Sequence, residues 1–309
     1  MGKVKIGVVG CGYLGKFHAE KYFANPKVEL TALVDTDSKK FKHFKSFLNV
    51  NKYKDYKEII GIVDAVSIVT PTNTHFKIAK KFIENKKHVF IEKPMVEKVS
   101  EAKKLKLLEK ENNVVLQVGH LERFNNTYLK YLDYKDTPLF IESNRISPNK
   151  IRGTEVDVVL DLMIHDIDLL QDINKCNVKK INASGISVLT KDIDIANVRL
   201  EYENNCVANI TASRISNKSE RKMRIFQKNG YYSLDFLDNI LEIHALNAKK
   251  NMVPKIKRET YTYPNNDSIR NELNCFVECI LKNKKPKVTS SDGQKALSIA
   301  SKIISLIKK

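Results

Sequence analysis

Gly10-Cys11-Gly12-Tyr13-Leu14-Gly15 directly follows the β-branched run Val4 to Val9 and opens a stretch with helical spacing. A glycine at the first position permits a tight turn, one at the second lets backbone approach a pyrophosphate, and one at the third lets helix and strand pack closely. The first turn of the helix, with Tyr13 and Leu14, then offers N–H donors and the positive end of its dipole to an anion. Twenty positions after Gly15, Asp35 ends the next apolar run, where a carboxylate can accept from the ribose hydroxyls of an adenosine. That carboxylate would repel a 2′-phosphate and no arginine follows it, so the expected cofactor is NAD rather than NADP; Lys39 and Lys40 are the residues that pull the other way.

Two more strand ends carry suitable groups. Ala65 to Val69 runs into Thr70-Pro71-Thr72-Asn73-Thr74-His75, and Val89 to Ile91 runs into Glu92-Lys93-Pro94. Proline cannot continue a central strand, so both segments leave the sheet at its carboxyl edge, where open α/β sheets bind ligands. Thr70, Pro71, Asn73, His75, Glu92 and Lys93 are expected against the cofactor, with Lys93 at its nicotinamide end. His75 could equally cap a helix, and Thr74 reads as an N-cap.

A third group lies on a long helical stretch, Val156 to Ile173. At about 100° per residue, Asp157, Asp161, His165 and Asp168 fall within roughly 80° of one another, on a segment otherwise apolar and free of lysine. Buried acids are costly unless they pair or line a cavity, so the stripe is expected to face a cleft between domains; the alternative is that its acids pair with neighbouring basic residues. His165 titrates near neutrality when unperturbed, and Asp161 one turn earlier can orient it or raise its basicity, an acid/base pair.

The elements around these groups define two architectures. Up to about residue 120, apolar runs at Val4 to Val9, Val28 to Val34, Ala65 to Val69, Val89 to Ile91 and Val114 to Val118 alternate with helical stretches at Leu14 to Ala24, Ser38 to Leu48, Thr74 to Asn85 and Val99 to Asn112. That is a doubly wound parallel sheet, a Rossmann domain over residues 1–120. Residues 121–309 read as an α+β domain with a large open antiparallel sheet: runs at Ile181 to Leu189, Ala196 to Glu203, Val207 to Ile215, Lys222 to Phe226, Tyr231 to Phe236 and Ile240 to Ala245 follow one another without helices. Helices at Ser268 to Leu281 and Gln294 to Ile307 close the chain. An exposed sheet face of that size suggests a homo-oligomer, a dimer or tetramer.

At 309 residues the chain is about twice a typical domain of roughly 150. No apolar run approaches the roughly 18 residues of a membrane span, and the start reads as a first strand rather than a signal peptide. Five scattered cysteines make no disulfide framework, so a reducing cytoplasm is expected; Cys275 and Cys279, four apart on a helix, read as core packing, and no metal site is expected. The net charge of +18 comes mostly from lysines mixed with acids along helix faces. It favours anionic partners, yet no nucleic-acid module accompanies it.

GCGYLG, TPTNTH, EKP and a D-x-x-x-H helix together resemble the glucose-fructose oxidoreductase, inositol dehydrogenase and rhizopine catabolism (Gfo/Idh/MocA) family of NAD(P)-dependent oxidoreductases over essentially the whole chain. The resemblance implies that Lys93, Asp161 and His165 surround the substrate carbon that exchanges hydride. Gln117 to Asn125 (QVGHLERFN) and Val158 to Asp168 (VVLDLMIHDID) are similar to the branch containing UDP-N-acetylglucosamine 3-dehydrogenases, although Asn126 stands where that branch often has proline. This implies oxidation of the C3 hydroxyl of UDP-N-acetylglucosamine ahead of an aminotransferase in lipid A synthesis. His165 would be the base and Lys93 the cation at the alkoxide, its pKa lowered by desolvation and by the nicotinamide cation, or the two could exchange roles. His120, Arg123 and Arg152 join them as expected substrate contacts, with Lys150, Arg214 and Arg221 as further cations for a diphosphate. Two other functions fit the same chain: a dehydrogenase of a free cyclitol or aldose, and a non-catalytic NAD-binding regulatory protein.

Overall fold

A computed structural model describes residues 2–44, 47, 49–134, 136–148, 156–228, 230–247 and 255–308. In chain order the elements are β1 (Val4–Val9), α1 (Tyr13–Phe23), β2 (Val28–Val34), β3 (Asn51–Tyr53), β4 (Ala65–Ile68), α2 (Thr72–Glu84), β5 (His88–Glu92), α3 (Val99–Asn112) and β6 (Leu116–Gly119). They continue with α4 (Asn126–Tyr131), β7 (Pro138–Ile146), α5 (Ile164–Asn174), β8 (Val178–Ile186), β9 (Ile195–Tyr202), β10 (Val207–Ser213), β11 (Glu220–Gln227), β12 (Gly230–Asp235), β13 (Ile240–Asn247) and β14 (Lys255–Thr262). The chain closes with α6 (Ser268–Lys282) and α7 (Ser290–Ile307).

The chain forms two compact units. The first holds residues 1–121 and 267–294, built on a six-stranded parallel sheet in the order β3-β2-β1-β4-β5-β6. The order reverses between β1 and β4, so their carboxyl ends open the crevice in which such sheets take a dinucleotide. The expected boundary at residue 120 misplaces α6, which belongs here and not with the second domain. A parallel sheet must be covered on both faces. Leu273, Phe276 and Val277 of α6 close a core with Val4, Ile6, Leu33 and Phe90, and the Phe276 ring meets Phe90 edge-on at 5.9 Å. The expected helix at Ser38 to Leu48 is a 3-10 turn over Ser38–Phe44. Pro71, not Thr74, is the N-cap of α2; the Thr74 hydroxyl instead donates to the Pro71 carbonyl at 2.7 Å.

The second unit holds residues 122–266 and 295–309 on an eight-stranded sheet in the order β14-β13-β12-β11-β7-β10-β9-β8, antiparallel except for the β7–β10 pair. Helix α5 and Ala296, Ala300 and Ile303 of α7 share its core with Ile141, Val198, Ile210 and Ile225. Strands β7 and β14 have no counterpart in the sequence reading. On β7 the core-facing positions are Ile141, Ser143 and Arg145, so the period-two apolar signal breaks at a serine and an arginine. Strand β14 is an edge whose Lys257, Arg258 and Glu259 blunt it. The sheet's outer face is largely polar, Asn197, Arg199, Asn209, Glu142 and Arg224 among its residues, crossed by one row of rings, Phe140, Phe226, Tyr231 and His244, with neighbouring centroids 5.0 to 6.0 Å apart.

Candidate active site

In the first unit the glycine loop is built as its sequence requires. Gly10 has φ +104°, a left-handed conformation, and a Cβ there would lie 2.5 Å from the Val69 carbonyl oxygen at the end of β4. A Cβ on Gly15 would lie 1.9 Å from the Gly10 oxygen, so α1 can start this close to β1 only with glycine. At Gly12 a Cβ would meet nothing within 4 Å. Lys16 N–H to Gly12 O, 3.1 Å, is the first helical bond, which leaves the N–H groups of Tyr13, Leu14 and Gly15 without intrahelical acceptors beside that open space. Asp35 is buried, and its two oxygens accept from Cys11 N–H at 2.8 Å and Asp37 N–H at 2.9 Å. It braces the loop, with Lys40 at 3.5 Å, and each oxygen keeps a second lone pair. Burial, and secondly the Asp35 charge, push the Cys11 thiol up to about 12, so it stays a thiol.

The ends of β4 and β5 are tied to each other through His75. Its ring is 1% exposed, with Nε2 2.8 Å from the Thr70 carbonyl oxygen and Nδ1 3.0 Å from that of Pro94. Burial pushes its pKa down, against the upward pull of the two carbonyls. His75, expected at the cofactor, is buried as a brace between the two loops. Thr70 and Thr74 join their hydroxyls at 2.7 Å, Pro71 and Asn73 are exposed, and Lys93 is half-buried before a cis Lys93–Pro94 bond. Glu92 is held from a side the sequence reading missed: His18, buried on α1, sits 3.1 Å from its Oε1. His18 falls three residues after Gly15, hence on the sheet-facing side of α1, which is the signal that could have found it.

In the second unit the acidic stripe divides. Residues Val159–Met163 form a π-helical turn before α5, wider than the α-helix assumed in the angular count, so one stripe does not persist. Asp157 is buried, accepting from Ile193 N–H at 3.0 Å with Lys308 at 3.2 Å. Asp168 is buried against Arg123, whose Nε and Nη2 reach its two oxygens at 2.7 and 2.8 Å while Nη1 reaches Asp172 at 2.9 Å. Those two acids therefore pair internally, and Asp161 and His165 are the stripe members that stay half-exposed.

Arg123, expected as a substrate contact, is thus an internal anchor of α5, 3% exposed. Arg145 does the same next to His165: it grips Asp166 through two bonds, 2.9 and 3.1 Å, and Glu122 at 2.9 Å. Two guanidiniums here face four carboxylates, and these partners raise both arginines' pKa against the downward push of burial. Nothing in the lone residues Glu122 and Arg145 announced this network. Arg214 is likewise buried, 3.6 Å from Asp194. His120, in the first unit and also expected at the substrate, is 1% exposed in the interior. Arg221 is exposed on β11, and Lys150 and Arg152 lie outside the described residues. All five cysteines are free thiols. Among the described residues no group of three metal-ligating side chains occurs, and no helix is long and apolar enough to cross a membrane.

Comparison with known proteins bears on this arrangement. The model of an oxidoreductase family with an NAD-binding Rossmann fold, GFO_IDH_MocA, matches residues 4–120, and that of the GFO/IDH/MocA C-terminal domain matches residues 117–233. The UDP-N-acetylglucosamine 3-dehydrogenase of Acidithiobacillus ferrooxidans is 32% identical over 96% of this chain and 95% of its own. A solved structure of that protein superposes with TM-score 0.91 at 31% identity, covering 100% of this chain and 99% of that one. The myo-inositol 2-dehydrogenase of Thermotoga maritima is 28% identical over 95% of this chain and 93% of its own. The residues present fit NAD: open space at Gly12 beside unbonded N–H groups, and a buried carboxylate at Asp35.

Proposed function

Because the chain belongs to the GFO/IDH/MocA family of NAD-dependent oxidoreductases, we propose that it oxidises the C3 hydroxyl of UDP-N-acetylglucosamine to a ketone. The observation that carries this reading is identity of 32% with a UDP-N-acetylglucosamine 3-dehydrogenase over 96% of the chain, against 28% with an inositol dehydrogenase. A 3-keto sugar is a substrate an aminotransferase can aminate, which is the step toward the diamino sugars of lipid A.

Gly10, Gly12 and Gly15, the N–H groups of Tyr13 and Leu14, and Asp35 hold the dinucleotide. NAD, when bound, supplies the hydride acceptor. His165 takes the hydroxyl proton, Asp161 orients its ring, and the Lys93 ammonium stabilises the developing alkoxide oxygen. Thr70, Asn73 and Glu92 shape the loops at the nicotinamide end. Of the arginines named for the diphosphate and described, Arg221 is exposed and so available to it. We place the enzyme in the cytoplasm on the strength of its free thiols, and in a homo-oligomer whose contact includes the aromatic row on the outer sheet face.

The test is absorbance at the NADH band with purified protein, NAD and a panel of UDP-sugars and free cyclitols. Reduction of NAD by UDP-N-acetylglucosamine, and not by myo-inositol or glucose, supports the assignment. Turnover confined to uncharged sugars overturns it in favour of a cyclitol or aldose dehydrogenase.

A further inference from the structure

The buried His18 and Ser67 and the partly buried Glu92 connect the helix after the glycine loop to the backbone at Lys93, and the mechanism above leaves the first two without a task. His18 of α1 has its Nδ1 2.8 Å from Ser67 Oγ on β4 and its Nε2 3.1 Å from Glu92 Oε1 at the end of β5. Glu92 Oε2 accepts from the Lys93 N–H at 3.2 Å. Two proton arrangements satisfy all of them: a neutral ring accepts from the Ser67 hydroxyl at Nδ1 and donates from Nε2 to the Glu92 carboxylate, and a protonated ring donates from both nitrogens, to Ser67 Oγ and to Glu92. Burial pushes the Glu92 carboxyl up, but the His18 bond and charge and the Lys93 cation and N–H outweigh it and hold its pKa below the usual value.

The surroundings are fitted to this chain. The Phe90 ring meets His18 edge-on, centroids 5.3 Å apart, and fixes the imidazole plane. On the neighbouring strand β6, a Cβ at Gly119 would lie 3.0 Å from Glu92 Oε2 and 3.1 Å from its Cδ, so the strand ends in the residue that leaves room for the carboxylate. A bond serving only to fasten α1 to the sheet could end on any strand residue. This one ends on the carboxylate that holds the backbone of Lys93.

We propose that His18 is a positioning residue for Lys93, holding the Glu92 carboxylate on the Lys93 N–H so that the ammonium keeps one orientation toward the substrate oxygen. The inference rests on the reading of Lys93 as a reacting residue. Its test is a double-mutant cycle on the full chain, assayed with NAD and UDP-N-acetylglucosamine, or with whichever sugar the panel identifies. His18→Phe keeps a ring and removes both bonds; kcat should fall by roughly 10- to 100-fold with the KM for NAD within about twofold. His18→Gln restores a donor to Glu92 and should recover kcat to within about fivefold of wild type. In a Lys93→Ala background His18→Phe should cost nothing further, because it acts through Lys93.

Wild-type kcat in folded His18→Phe overturns the proposal, as does His18→Gln falling as far as His18→Phe, or full additivity with Lys93→Ala. If His18→Phe does not fold, Glu92→Gln decides: its amide cannot accept from both His18 and the Lys93 N–H through oxygen, and unchanged kcat overturns the proposal while a loss of about fivefold or more supports it. Full activity in Lys93→Ala instead removes the underlying reading of Lys93, an outcome distinct from failure of the His18 step alone.

Discussion

The two units secure their chemistry by different means. In the first, buried or partly buried polar side chains bond to main chain: Asp35 to the N–H groups of Cys11 and Asp37, His75 to the carbonyls of Thr70 and Pro94, Glu92 to the N–H of Lys93. In the second, buried arginines bond to carboxylates: Arg123 to Asp168 and Asp172, Arg145 to Asp166 and Glu122. Loops at strand ends lack a ladder of their own, so side chains supply the missing partners and set loop shape. A helix satisfies its own backbone, so what remains to be set is its position, and ion pairs at Asp166 and Asp168 pin the segment that carries His165. The candidate residues stand beside the anchors in both units, Lys93 next to Glu92 and His165 next to Asp166.

The sharpest way to break this comparison is to remove the groups the anchors serve. His165→Ala and Lys93→Ala should each lower kcat by about 10²- to 10⁴-fold with thermal stability near wild type, measured by NADH formation and melting. A melting loss matching the activity loss would make either residue an anchor. Next, Arg145→Met should cost about 3–5 kcal/mol in denaturant unfolding, because Asp166 and Glu122 stay buried without their cation. Restored stability in Arg145→Met with both acids replaced by their amides would assign that cost to the stranded charges.

Gly15→Ala drives a Cβ to 1.9 Å from the Gly10 oxygen, so it should cost about 1–3 kcal/mol and weaken NAD binding, read by NAD fluorescence titration. Asp35→Ala, which frees two loop N–H groups, should raise the NAD Kd by about tenfold or more with little change in kcat at saturation. The smallest effect concerns Asp194, the second unit's example of the first unit's style. It accepts from the N–H groups of Val188, Leu189 and Thr190 at 2.7 to 2.9 Å. Burial pushes its pKa up, but those bonds and the Thr190 hydroxyl bring it down to about 2 from the usual 3.8. A depressed carboxyl stabilises the fold above the unfolded value and loses that contribution as pH falls toward 2. Asp194→Asn should therefore be less stable than wild type at pH 7 and converge with it near pH 2, as seen in urea melts across that window.

Local patterns were legible without coordinates wherever residue type alone dictates geometry. Strands β1 and β2 run over the residues expected from their apolar runs, helix α3 likewise, and GCGYLG forms the turn that its glycines permit. What escaped were elements whose inner face carries a charge, such as β7 with Arg145, and partners distant in the chain. Arg123 and Arg145 looked like any surface cation until Asp168 and Asp166 stood opposite them; His18 was an unremarked helix residue until β5 brought Glu92 to it.

Glycine spacing, apolar periods and strand-end motifs by themselves determined the parallel nucleotide-binding sheet and marked Lys93, Asp161 and His165 as candidates, because these depend on steric permission and period within short stretches; the family was read from a resemblance of motifs. The tertiary structure alone decided which ionisable groups are spent on anchoring, that α6 returns to cover the first sheet, and that a π-turn splits the acidic stripe. Burial and pairing are properties of residues far apart in the chain, and only folding brings a charge to its counter-charge.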